Sequence, residues 1–211
     1  MPTKSLTRSL AVLVWLLIGA GAPAVAQTAG DDAVVLNEVR RAFTLHGKPI
    51  PPEIFRDFGD GDLADSGAIW VTVDVDAAVG SNLYADDIKT EGKWLSQKRA
   101  NQSLNGSEET GYTFVGAADN GLLIVLATYN GGGSGTFFTL HILDVAAARA
   151  FDAGGKRYRR INLTVLRSVA LGDRWDGTVR IAHNAVRVVT TRRGPADAGA
   201  RTAQMIAAER P

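Results

Sequence analysis

Hydrophobic positions divide the chain into a short helical opening and a long succession of strands. Behind Asp31 and Asp32, the residues Val34, Val35, Leu36, Val39, Ala42 and Phe43 recur at helical spacing. That stripe, with acidic residues in the first turn and Gly47 beyond the last, predicts a helix over about residues 32–45. Pro49, Pro51 and Pro52 interrupt it. Pro52 suits the first turn of a second short helix, PEIFRDF (52–58).

From residue 69 the period changes to two. In IWVTVDVD (69–76), Ile69, Val71, Val73 and Val75 alternate with Trp70, Thr72, Asp74 and Asp76, which predicts a half-buried strand. GYTFVGA (111–117) and LLIVLATY (122–129) flank Ala118-Asp119-Asn120-Gly121, and Asn-Gly at a strand junction predicts a hairpin. LLIVLA has no polar face, which places it in the middle of a sheet covered on both sides. FFTLHIL (137–143), RINLTVL (160–166), TVRIA (178–182) and AVRVVTT (185–191) are further strands, the last two joined through His183-Asn184. Between them, Asp144 followed by VAAARAFD (145–152) and stopped by Gly154-Gly155 predicts a third short helix. From Pro195 onward the composition turns to Ala, Gly, Arg and Asp, and this tail (195–211) is expected to fray or form a weak helix.

These elements predict an α+β fold, with a mostly antiparallel sheet and two or three short helices in one domain over residues 27–194. A β-sandwich or a partly open barrel is the alternative arrangement. YNGGGSGTFFTLHI (129–142) tests one chemistry directly. A phosphate-cradling loop needs strand–loop–helix and a Gly-Lys-Ser/Thr ending. Here the loop joins two strands and ends Gly135-Thr136, so the glycines are read as a hairpin turn with positive-φ positions.

The N-terminus bears on location. Lys4 and Arg8 precede the apolar run Leu10 to Ala20, and Ala24-Val25-Ala26 gives a small-x-small pattern. Residues 1–26 are therefore read as a secretory signal peptide, too short in its apolar part to span a bilayer, leaving no membrane span after cleavage. The chain has no cysteine, which removes disulfides, thiolate nucleophiles and Cys-ligated zinc. Together these predict a bacterial periplasmic or secreted protein.

A resemblance points the same way. GSGTFFTLHI (133–142), RINLTVLRSVALGDRW (160–175) and TVRIAHNAVRVVTT (178–191) follow one another as a Gly-rich hairpin, a Leu-Gly-Asp-Arg segment (171–174) and a last hairpin. The series resembles an uncharacterised C-terminal β-rich domain of bacterial exported proteins. That resemblance implies location and fold, and carries over no catalytic residue.

Charge narrows the partners. There are 23 basic and 22 acidic residues, net +1, and leaving out Lys4 and Arg8 takes the net to −1. The nearest thing to a basic stretch with an interleaved aromatic is Arg157, Arg159 and Arg160 around Tyr158, and a secreted location argues against that reading, so nucleic acid is not an expected partner.

Candidate chemistry is sparse. Asp57, Asp60, Asp62 and Asp65 crowd the glycine-containing segment RDFGDGDLADSG, an oxygen-rich turn of the kind calcium uses. Counted from Asp60, however, the fifth position is Ala64 and the twelfth Val71, so it is no EF-hand. Asp74 and Asp76, about 7 Å apart on one strand face, are candidates for acid/base work on glycans with Asp86 and Asp87 nearby, and Trp70 and Trp94 as sugar platforms. His46, His141 and His183 show no metal-ligand spacing. Ser134 lacks the glycine at position 136 that a nucleophile elbow requires. Asp173, Arg174 and Trp175 form the most promising ligand-binding group, since an arginine between two aspartates, Asp173 and Asp176, can pair internally or reach a ligand's carboxylate or phosphate, with Trp175 placed to stack on it. The expectation is a non-enzymatic periplasmic domain that binds a protein or small molecule. The alternatives are a carboxylate-dependent glycan hydrolase and a structural calcium module, and no cofactor other than calcium is expected.

Overall fold

The structure, a computed structural model, describes residues 29–58, 71–80, 84, 87–101, 106–191 and 201–210. Helix α1 (Ala29–Ala42) runs about three residues ahead of its predicted bounds. Phe43 and His46, at φ 54°, and Gly47, at φ 73°, then turn the chain back on itself. Strands β1 (Thr44–Leu45) and β2 (Lys48–Pro49) form a minimal hairpin around His46-Gly47, two positive-φ residues as a tight hairpin turn demands. Glu38 of α1 fastens this turn. Its carboxylate accepts from the Gly47 amide (2.8 Å), the Thr44 hydroxyl (2.9 Å) and the His46 amide (3.1 Å). The second predicted helix is present as α2 (Ile54–Asp57).

A seven-stranded, wholly antiparallel sheet dominates the fold. It comprises β3 (Thr72–Asp74), β4 (Lys89–Glu91), β5 (Trp94–Asn101), β6 (Gly106–Ala117), β7 (Leu123–Asn130), β8 (Phe137–Phe151) and β9 (Arg157–Asp173), in the order β3-β9-β8-β7-β6-β5-β4. As its all-apolar sequence predicts, β7 is the central strand and is covered on both faces. On one face Leu123, Val125 and Ala127 join Val39, Phe43 and Ile54 of the helical layer. On the other, Leu122 and Ile124 meet Val186, Val188 and Ile206 of a second sheet. That sheet has three antiparallel strands, β10 (Gly177–Ala182), β11 (Ala185–Thr191) and β12 (Arg201–Ala207). Helices, large sheet and small sheet thus lie in three layers, and the mostly antiparallel fold read from the pattern is present.

Three expectations are corrected. VAAARAFD is not a helix. It completes β8, paired residue for residue with β9 as far as Phe151–Arg157. Alanine favours a helix by at most a few tenths of a kcal/mol per residue over most alternatives. The ladder to β9 and the burial of Val145 outweigh that. Asp152, expected to end the helix, is the turn acceptor instead, taking the amides of Gly154 (2.9 Å) and Lys156 (2.8 Å) on Oδ1. Second, IWVTVDVD does not continue as a strand to Asp76. After β3 the chain enters α3 (Val75–Val79), N-capped by Asp74, whose Oδ1 accepts from the amides of Asp76 and Ala77. Third, the tail carries β12, which pairs with β11 along its whole length and buries Ile206.

Candidate functional site

The glycine-rich loop joins β7 to β8 as a hairpin connection, and of its glycines only Gly132 has a positive φ, 94°. The predicted ligand-binding group lies beside it. The Asp173 carboxylate accepts from the Thr136 amide at 2.8 Å. Arg174, itself at φ 47°, donates its backbone amide to the Thr136 carbonyl (2.7 Å) and Nη2 to the Ser134 carbonyl (2.6 Å). These bonds tie the loop to the end of β9. Trp175 turns the other way. Its indole N–H donates to Thr190 Oγ1 of β11 at 2.8 Å, and its ring lies 6.0 Å from that of Phe138 on β8, so it clamps the small sheet to the large one. The ring and the Val189 carbonyl occupy the space a side chain at Gly177 would need. Gly177→Ala is therefore expected to lower stability by about 2–3 kcal/mol, the cost of overpacking against backbone. Chemical denaturation is the check, and an unchanged midpoint would show that the strand junction can give way.

The other candidate groups are separated by the fold. Asp74 and Asp76 do not share a strand face. Asp74 Oδ2 takes Arg160 Nε at 3.1 Å, while Asp76 takes His46 Nε2 at 3.1 Å and lies 3.7 Å from Arg159 Nε. Both carboxylates join the helical layer to β9, which removes the acid/base pair that a glycan hydrolase requires. Asp57 closes α2, while Asp60, Asp62 and Asp65 lie outside the described residues, as do Trp70, Asp86 and the segment 1–26 read as a signal peptide. Trp94 meets Phe138 edge-on at 6.1 Å. Among the described residues no three His, Asp or Glu side chains converge as metal ligands. His183 is exposed and bonds Asp119 at 2.9 Å. His141 is 2% exposed and bonded to Ser168 Oγ at 2.8 Å, with the rings of Phe55 and Phe58 beside it. Burial pushes its pKa down to about 4, so it is neutral at pH 7 and poorly placed to exchange protons with solvent.

What the molecule does present is apolar surface at both ends of one strand. β8 begins with Phe137, 55% exposed, directly opposite Tyr129 of β7, which is also exposed. These two rings line a groove of about 420 Å³ together with Phe55, Arg56, Thr139 and His141. β8 ends with Phe151, 70% exposed, at the tip of the β8–β9 hairpin, with Tyr158 exposed one residue pair away. The tip is held in shape by the Asp152 turn and, further down, by Arg149 and Asp32 of α1 at 2.7 Å. Sequence reasoning missed it because VAAARAFD was read as helix. The signal was present in Phe-Asp-Ala-Gly-Gly-Lys-Arg-Tyr (151–158), a turn between two aromatic positions. Exposed aromatic side chains on preorganised backbone suit contact with another macromolecule rather than catalysis.

A family model for phage proteins, described as structural cement protein (E217 gp24/Pam3 gp6), matches residues 11–129, more than half of the chain. The chain belongs to that family. No curated protein and no solved structure matches it. Membership of the phage structural cement family corrects the resemblance to a bacterial exported domain, which rested on short hairpin motifs that any antiparallel sheet can carry. It likewise overturns the periplasmic or secreted location, the periplasmic binding domain and the hydrolase. The match begins at residue 11, inside the apolar run taken as a leader. No helix among the described residues is long and apolar enough to cross a membrane. On the fold, the cement-family match covers everything from α1 to all but the last residue of β7, while β8 to β12 lie beyond it.

Proposed function

We propose that this protein is a virion component that binds neighbouring capsid proteins and holds them together. The observation that carries the reading is the cement-family match over residues 11–129. The geometry supports it. A cement must grip at more than one point, and β8 carries an exposed aromatic residue at each end, Phe137 and Phe151. At the rise of an extended strand these ends are roughly 45 Å apart, far enough to touch two different subunits. The seven-stranded sheet between them, buried on both faces at its centre, makes a stiff strut.

Purified virions of a phage carrying this gene should contain the chain in stoichiometric amounts. Particles produced without it should release their DNA at a lower temperature, and adding back the purified full chain should restore the original value. The reading fails if the chain is missing from virions and its loss leaves the release temperature unchanged.

A further inference from the structure

The outer face of the small sheet has an arrangement that folding alone does not favour. Arg180 of β10 and Arg187 of β11 are directly paired across the strands, and Met205 of β12 is the next residue in the same row. Both arginines are exposed, and Met205 is 58% exposed. Neither guanidinium has a hydrogen-bond or ion-pair partner among the described residues. Like charges directly opposite one another in a sheet are destabilising. Nothing on this sheet offsets them, because its three strands contain Arg180, Arg187 and Arg201 and no aspartate or glutamate. Arg201 sits opposite Thr191, on the same outward-facing alternation as Met205. The rows on either side are small or short, Thr178–Val189–Ala203 and Ala182–Ala185–Ala207. The face is therefore low and cationic, with an apolar thioether beside its two central charges. Val186, Val188 and Ile206 point inward and anchor it to the large sheet, so the outer face is not needed for the core.

We infer that this face docks against a carboxylate-bearing surface of a neighbouring capsid protein. The inference rests on the cement reading and adds to it the surface and the chemistry of the partner. Planar guanidinium groups bind carboxylates bidentately, and the Arg180–Arg187 spacing sets two such forks side by side. The apolar Met205 and the alanine row let the partner approach closely enough to exclude water around those pairs. Duplex DNA is the weaker fit to the same charge. The face is small, it has no exposed aromatic ring, and the whole chain is close to neutral.

The test is the full chain carrying Arg180→Ala and Arg187→Ala, beside the wild type, added to capsids of the phage produced without this gene. Removing the paired charges should leave the melting temperature unchanged or slightly higher, while binding to capsids at low salt weakens by roughly tenfold or more. Wild-type binding should weaken as salt rises from 50 to 500 mM, and the double variant should lose most of that dependence. If the wild type does not bind capsids at all, the cement reading itself falls. If the wild type binds and the variant binds equally well with the same salt dependence, the inference alone is overturned. It is overturned also if the double variant keeps its capsid affinity but loses binding to a short DNA duplex, or loses self-association in sedimentation.

Discussion

Phe43→Ala is expected to lower the unfolding free energy by about 3–5 kcal/mol, the range for removing a fully buried phenylalanine ring. The side chain is 1% exposed at the junction of α1 with the large sheet. Its ring stacks on Phe114 (centroids 5.3 Å apart), meets Tyr112 edge-on at 5.2 Å, and lies 6.1 Å from Phe55. Tyr112 in turn donates its hydroxyl to the Ile50 carbonyl at 2.8 Å, so the helical layer, the β1–β2 hairpin and β6 all converge on this one ring. A domain of this kind is stable by about 5–15 kcal/mol, so the loss takes most of the margin in an ordinary case. The backbone adds a second, sharper expectation. Phe43 sits at φ 54°, where any L-residue with a side chain is strained and glycine is not. Phe43→Gly should therefore be no less stable than Phe43→Ala, although glycine normally costs more than alanine inside a helix, because residue 43 lies just past the helix end in the left-handed conformation that glycine favours. Urea unfolding of the two variants against wild type measures both points. A loss below about 1 kcal/mol for alanine would mean that the aromatic cluster closes over the gap. A clearly worse glycine variant would mean that the left-handed geometry at residue 43 is not held in solution.

Much of this architecture was legible because it follows from local pattern. The unbroken apolar run of β7 placed it at the centre of the sheet, and Asn120-Gly121 and His183-Asn184 marked two hairpins at their true positions. The errors arose where tertiary pairing competes with local preference. Alanines 146, 147, 148 and 150 favour a helix in isolation, but the chain that follows Asp152 supplies a strand to pair with, and nothing within the segment itself announces that. Asp74 looks like one more polar position in a strand until its side chain is seen to cap α3. The tail after Pro195 shows weak propensity of any kind and becomes β12 only because β11 offers an open edge. The functional surface was less readable still. An exposed aromatic and a buried one are the same letter in a sequence, so Phe137 and Phe151 stand out only once the sheet is closed around their neighbours. The Arg180–Arg187 pair depends on a register that the turn at His183-Asn184 implies but that only the assembled hairpin fixes.

Lowering the pH from 6.5 to 4 is expected to remove roughly 3 kcal/mol of stability through His141 alone. Its pKa falls from an ordinary 6.5 to about 4 because burial penalises the charged ring. The unfolded chain takes up a proton at this residue below about pH 6.5, whereas the folded chain resists until about pH 4. Above pH 6.5 both states hold the neutral ring and the residue adds no pH dependence. Between the two values the unfolded state holds the extra proton, so stability falls as pH falls, by up to about 1.4 kcal/mol per pH unit. Below about pH 4 both states are charged and the loss is complete. The side chains packed against the ring favour its neutral form. Phe55 and Phe58 face the ring at 5.4 and 6.1 Å, Ser168 Oγ bonds Nδ1, and among the described residues no carboxylate is bonded to either nitrogen. The slope of the wild type alone does not isolate the histidine from the chain's other ionisable groups. His141→Gln does, because it keeps a hydrogen-bonding group near Ser168 and cannot titrate. Unfolding free energies at several pH values between 4 and 7 should show the variant losing stability less steeply than wild type, by close to one proton's worth over the middle of the range. Parallel slopes would mean that the His141 site opens to water in the folded protein.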